Sequence, residues 1–193
     1  MNTLETIKTR RSIRKFKEDP VPEEELRALL EAATLAPSGK NRQPWRFVVV
    51  QGAHREAMVE RMRAGIANLT DQGVDTGSSK WSVEIMAQAP VTIFVFDDVV
   101  LAEDSIRSFP DLLGHIVDVQ SIGAAIENMA LAAVDRGLGT LWICDVFYAY
   151  QELCAWLGEE RLLVAAVSVG YPDESPGPRP RKSVDDVTRW LAD

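Results

Sequence analysis

The sequence predicts an α/β-type sandwich in which a central sheet is covered by helices on its faces, and three observations predict it. Four short apolar runs, WRFVVV, VTIFVF, TLWIC and LLVAAVSVG, read as strands. Stretches with apolar residues at helical spacing precede and separate them. The 193 residues are 46% hydrophobic and 26% charged, with no repeat and no long linker, which fits one domain over 1–193 with a sizeable core. Periodicity alone leaves the strand directions open.

Element by element, Thr3 can cap a short helix with Leu4 and Ile7 on one face, which runs into the basic segment RRSIRKF. Asp19-Pro20-Val21-Pro22 breaks the chain. Pro22 suits a first helical turn, Glu23 to Glu25 favour its dipole, and Leu26, Leu29, Leu30 and Ala33 form an inward stripe that stops before Pro37. The loop PSGKNRQP leads into the first strand, bounded by Pro44 and Gly52. A helix over about 55–66 buries Met58, Val59, Met62 and Ile66, TDQGVDTGSS reads as a mobile loop, and a short helix over about 80–88 precedes Pro90 and the second strand.

Charge, Phe109 and Pro110 make residues 97–112 look irregular, the place expected for a lid or substrate-facing segment. Ile116, Val119, Ile122, Gly123, Ile126, Met129, Ala130 and Ala133 then recur at helical spacing up to Gly137 and Gly139. A helix this apolar should be buried, and its small residues Gly123 to Ala125 permit close packing, including across a subunit interface. The third strand, a helix ending at Gly158 and the fourth strand follow, and the tail is Pro-rich first and amphipathic afterwards.

Composition narrows the function. A formal charge of -8 should repel nucleic acid and anionic membrane, and no apolar run approaches the roughly 18 to 20 residues of a membrane span. MNTLETIKTRR lacks the apolar stretch of a secretory signal, so a cytoplasmic location is expected. Cys144 and Cys154 read as reduced core thiols, and His54 and His115 lack metal-ligand spacing, so no metal is expected. GLGT at Gly137 to Thr140 closes a helix and opens a strand, the reverse of a dinucleotide fingerprint, and reads as a helix C-cap. GxSxG and P-loop sequences are absent, and the pairs Asp97-Asp98 and Asp185-Asp186 read as solvated.

Against this acidic background the cations are clumped. Lys8, Arg10, Arg11, Arg14, Lys15 and Lys17 share one acid-free window, and Arg179, Arg181 and Lys182 gather near the other end. Guanidinium forks suit phosphate oxygens and Ser12 can add a hydroxyl, although a charge run is also what a solvated face looks like. In PSGKNRQPW, Ser38, Asn41 and Gln43 offer hydrogen bonds suited to a planar heterocycle with carbonyl and imide edges, or to a plain polar connection.

Together, RRSIRKF at Arg10 to Phe16, APSGKNRQPWRFVVV at Ala36 to Val50, IGAAIENMALAAVDRGLGTLWI at Ile122 to Ile143 and the ending GYP…RPRK at Gly170 to Lys182 resemble the nitroreductase family of FMN enzymes. The resemblance runs in order along nearly the whole chain. It implies an α+β fold with a mostly antiparallel central sheet flanked by helices, in an intertwined homodimer with FMN at the interface and residues 173–193 embracing the partner. It implies Arg10, Arg11, Ser12 and, more weakly, Arg14 at the FMN phosphate and ribityl chain, with Arg179 and Arg181 returning to the phosphate. Pro37, Ser38, Gly39 and Asn41 are implied at the partner's flavin, with Gln43 structural or flavin-facing, and Leu141, Trp142 and Ile143 beside the isoalloxazine N5. The chain departs from the family pattern at Cys144, where many relatives carry glycine, and at Trp81 and Glu84, where some carry Asn and Lys.

The implied activity is a ping-pong oxidoreductase that takes a hydride from NADH or NADPH and delivers it to an electron acceptor such as a nitroaromatic or quinone. The chemistry would sit on the flavin, with no single essential acid or base from the protein. A non-catalytic flavin-binding or sensing protein, and a specialised dehalogenase or dehydrogenase on the same scaffold, are the alternatives.

Overall fold

The computed structural model describes residues 2–100 and 109–191. Its elements are α1 (Thr3–Thr9), α2 (Glu23–Thr34), β1 (Trp45–Gln51), α3 (His54–Asp71), α4 (Ser79–Gln88), β2 (Val91–Val100), α5 (Phe109–Asp135), β3 (Gly139–Ile143), α6 (Tyr150–Leu157), β4 (Arg161–Gly170) and α7 (Val184–Val187). The four strands form one sheet in the order β1-β2-β4-β3, and every neighbouring pair is antiparallel.

Helices cover both faces, so the central strand β2 is buried on both, and successive side chains serve two cores. Val91, Ile93 and Val95 pack with Leu26, Leu29, Ile122, Ile126 and Met129 of α2 and α5. Phe94 and Phe96 pack with Met58, Met62, Val83, Met86 and Leu153 of α3, α4 and α6. Each such fully buried side chain contributes roughly 1.5–3 kcal/mol relative to its exposed state.

Several local expectations shift. Asn2 rather than Thr3 caps α1, in a capping box with Glu5, and Leu4 and Ile7 face solvent. The helix expected over 55–66 runs through Asp71, and Thr76 and Ser79 of the TDQGVDTGSS stretch are buried. Strand β2 continues through Val100 and α5 begins at Phe109, because Pro110 lies in the first turn, where a missing amide does no harm. The rest of the segment expected to be irregular, residues 101–108, lies outside the described residues. Ile116 and Val119 are exposed; the buried stripe of α5 instead runs Asp118, Ile122, Ala125, Met129 and Ala133. Asp97 is buried and not solvated, and Cys144 is exposed and not a core thiol. Gly137 (φ 72) and Gly158 (φ 66) end α5 and α6 in the left-handed conformation, as their C-cap reading requires.

Among the described residues no helix is long and apolar enough to cross a membrane, and no group of three or more His, Cys, Asp or Glu is placed to hold a metal ion.

Candidate functional site

The segment after α1 is stitched between two others. Ile13 N–H donates to the Thr140 carbonyl, Lys17 N–H to the Tyr171 carbonyl and Asp173 N–H to the Lys15 carbonyl, each at 2.9 Å. Ile13 and Phe16 bury their side chains against Ala89, while Arg14 and Lys15 between them stay exposed. The Glu174 carboxylate accepts the Arg14 and Lys15 amides at 2.5 and 3.2 Å, which ties the C-terminal segment to the same place.

This stitching brings the two basic windows together. Arg10, Arg11, Ser12, Arg14, Arg179 and Arg181 line one small basin of about 100 Å³ with Pro176 and Gly177. Arg10 pairs with Glu127 at 3.2 Å. Arg11 donates to the Lys8 and Arg10 carbonyls at 2.7 Å, and its Nε is buried with no partner. Arg181 donates to the Arg179 and Pro180 carbonyls. A concentration of guanidinium groups with an orphaned buried donor calls for an anion with several oxygens.

Arg14 also lines the neighbouring cavity of about 740 Å³, whose walls include Phe16, Trp81, Ser82, Leu141, Trp142, Ile143 and Cys144. Its volume suits a cofactor-sized ligand. Leu141 and Ile143 point into the core while Trp142, of opposite parity, faces out. Asp145 accepts hydrogen bonds from Ser78 at 3.3 Å and Ser82 at 2.5 Å, fixing α4 to the end of β3. Partial desolvation and then the Asp145 charge push the Cys144 thiol above its ordinary range, so it is not a ready thiolate nucleophile.

Pro37, Ser38, Gly39, Asn41 and Gln43 line neither space. Their loop docks on α5: Gly39 N–H donates to Ser121 Oγ at 3.3 Å, and Arg42 pairs with Asp118 at 3.1 Å. Lys40, Asn41 and Gln43 all have φ near +50° (53°, 55° and 52°), costly for side-chain-bearing residues and held by local bonds such as Gln43 N–H to Ser38 Oγ at 3.0 Å.

Sequence reasoning missed Ser82 and Asp145 as cavity residues and reached Trp81 and Glu84 only as departures from the family pattern. The i, i+4 spacing of Ser78 and Ser82 was the available signal, but their acceptor is distant in sequence.

A four-stranded antiparallel sheet between helical layers, with an arginine basin opening beside a cofactor-sized cavity, defines an α+β domain of nitroreductase type. The chain belongs to the Nitroreductase family, whose profile matches residues 7–171. It is 33% identical over 184 residues to a provisionally assigned NADH dehydrogenase/NAD(P)H nitroreductase of Methanothermobacter thermautotrophicus, covering 93% of this chain and 82% of that one. It is 32% identical over 169 residues to 5,6-dimethylbenzimidazole synthase of Rhodospirillum rubrum, covering 86% and 79%. A provisionally assigned nitroreductase from Desulfovibrio desulfuricans, crystallised with FMN, superposes with a TM-score of 0.73 at 27% identity over 100% of this chain and 98% of that one.

Proposed function

We propose that this chain is an FMN-dependent oxidoreductase that passes a hydride from NADH or NADPH to an electron acceptor such as a nitroaromatic or quinone, by a ping-pong mechanism. The observation that carries the reading is the meeting of Arg10, Arg11, Arg14, Arg179 and Arg181 at a basin that shares Arg14 with the large cavity. A phosphate in the basin and a planar ring in the cavity match that pair of spaces in charge and size. The unpartnered Arg11 Nε is a donor that a phosphate oxygen would satisfy.

Bound there, FMN would supply the centre that accepts and donates hydride. The chain's share is binding and orientation. Arg10, Arg11, Ser12, Arg14, Arg179 and Arg181 hold the phosphate end. Leu141, Trp142 and Ile143 present a stiff strand edge to the ring, and the apolar walls exclude water from it. Pro37, Ser38, Gly39, Asn41 and Gln43 serve the flavin of a second copy in a homodimer, a role supported by their absence from the lining of this chain's own cavity and basin. The exposed apolar residues Leu112, Leu113, Ile116 and Val117 of α5 support the same assembly. No protein side chain is assigned as an essential acid or base, and the expected compartment is the cytoplasm.

The purified protein should be yellow. Its visible absorbance should bleach on adding NADH or NADPH under anaerobic conditions and return with a quinone or nitroaromatic. A protein that takes up no FMN, or takes it up without reduction by either nicotinamide, refutes the enzyme reading. The similarity to 5,6-dimethylbenzimidazole synthase supports a second reading, a specialised reaction on the same scaffold. Reduction by NAD(P)H with no turnover of nitroaromatics or quinones would favour it.

A further inference from the structure

Beneath the loop of residues 37–43 lies a cluster of charged groups that the proposed chemistry does not use. Asp97 is the last inward residue of the β2 series Val91, Ile93, Val95, and it sits directly across from Trp45 of β1 on the face covered by α5. It is 1% exposed, Asp118 of α5 is 2% exposed, and neither oxygen of Asp97 nor Oδ1 of Asp118 has a hydrogen-bond partner. Asp118 Oδ2 is held by Arg42 at 3.1 Å. Two carboxylates are thus buried with three unsatisfied oxygens, and the guanidinium that reaches them comes from the exposed Arg42 of the loop.

The loop is seated tightly. A Cβ on Gly39 would stand 2.3 Å from Val117 Cγ1, so the backbone there lies flat on α5. Asp118, next to Val117, takes Arg42, and one turn further along the helix Ser121 accepts the Gly39 amide. The two contacts, three residues apart on both partners, pin the stretch whose Lys40, Asn41 and Gln43 adopt the left-handed conformation.

We propose that Asp118 is a positioning residue that holds, through Arg42, the flavin-serving loop in this shape, and that the buried Asp97 beside it makes the hold depend on protonation. The assignment of the loop to flavin rests on the function proposed above; the clamp itself does not. Among the described residues the charged and titratable groups acting on Asp97 are Asp118 and His115 of α5, Arg42 of the loop and its neighbour Asp98, itself paired with Arg46 and Arg161. Burial foremost, and then the Asp118 charge, push Asp97 up to about 6, while His115 and Arg42 pull it down. Because Arg42 favours the ionised form of Asp97, ionised Asp97 must by linkage favour the seated Arg42. Acidification through about pH 6 therefore loosens the loop.

Hydrogen–deuterium exchange of residues 39–43 in the flavin-free protein tests this, corrected for the intrinsic pH dependence of exchange. Wild type should lose protection as the pH falls from 7.5 to 5. Asp97→Asn should show no such step, with the loop as loose at pH 7.5 as wild type is at pH 5. Asp118→Asn and Arg42→Ala should exchange about tenfold faster or more at pH 7.5, the scale of a lost hydrogen bond to a charged group. Carboxyl NMR adds a readout that mere structural damage would not produce: the Asp97 midpoint should fall in Asp118→Asn and rise in Arg42→Ala. Wild-type exchange in both clamp variants, or an unchanged step in Asp97→Asn, overturns the proposal. FMN affinity, compared with wild type at each pH because a phosphate monoester itself titrates near 6, should weaken about tenfold or more in Asp118→Asn. Failure of every form, wild type included, to bind FMN refutes the flavin reading and leaves the exchange result to decide the clamp.

Discussion

The Ile13 amide donates to the Thr140 carbonyl at 2.9 Å, and this contact joins the arginine segment to the strand that carries Leu141, Trp142 and Ile143. The basin and the cavity are therefore one construction. Gly139 makes the contact possible, because a Cβ there would stand 2.6 Å from Ile13 Cγ1 and 2.9 Å from Ile13 Cβ. Gly139→Ala should push the segment off the strand edge and destabilise the fold by about 1–3 kcal/mol. Calorimetry should show a fall in Tm on the order of 3–10 °C, and FMN affinity should fall with it. A variant with wild-type Tm and affinity would show that the segment tolerates displacement.

The basin predicts a loss specific to phosphate. Arg10→Ala combined with Arg181→Ala removes one cation from each end of the chain, and a charge-assisted hydrogen bond contributes roughly 1.5–3 kcal/mol. FMN affinity should drop by about 10²-fold or more, by the same scale. Riboflavin, which lacks the phosphate, should bind wild type and variant alike in a fluorescence titration. Equal losses for both ligands would assign the two arginines to the fold and not to the phosphate.

Asp97 predicts an unusual pH dependence of stability. Its carboxyl titrates near 3.8 when unfolded and at about 6 when folded, so between these values the folded state binds the extra proton. Stability is thus lost as the pH rises through that window, by about 3 kcal/mol at most. Asp97→Asn removes the buried charge, and its advantage in Tm over wild type should be largest above pH 7 and shrink towards pH 4. Parallel pH profiles of the two proteins would show that Asp97 finds solvation or a partner when ionised. Global stability and the seating of Arg42 then move in opposite directions in one variant, which separates the two effects experimentally.

Much of this was legible in sequence, and the failures have physical causes. Period-3.6 stripes placed the inward residues of α2 and α3 because each helix has one wet face. The clumped arginines pointed to an anion, and the antiparallel sheet brings them together because β3 and the segment after β4 flank the same edge. Asp97 was misread because β2 is buried on both faces: its run of apolar residues has no alternation to flag the following acid as inward. Asp118 does lie in register with Ile122, Ala125 and Met129, a signal that the more apolar Ile116 and Val119 obscured. The left-handed residues of the loop left no trace in composition, because Lys40, Asn41 and Gln43 are held there by contacts with Ser38 and α5 and not by glycine.

The exposed apolar side chains of α5 predict a subunit interface. Leu112, Leu113, Ile116 and Val117 recur on one side of the N-terminal half of the helix, each at least 39% exposed, and the loop docked through Gly39 and Arg42 borders them. A contiguous apolar strip beside a loop with no role at its own chain's cavity is best explained by a second copy, whose cavity the loop would complete. Light scattering should give a dimer for wild type. Ile116→Asp places a charge in the strip and should weaken the dimer by about 10²-fold or more, since burying an unpaired charge costs several kcal/mol. FMN should be lost together with the dimer, although Ile116 lines neither the basin nor the cavity. A monomeric variant that keeps full FMN affinity would show that one chain makes the whole flavin site, and would release residues 37–43 from the role assigned to them.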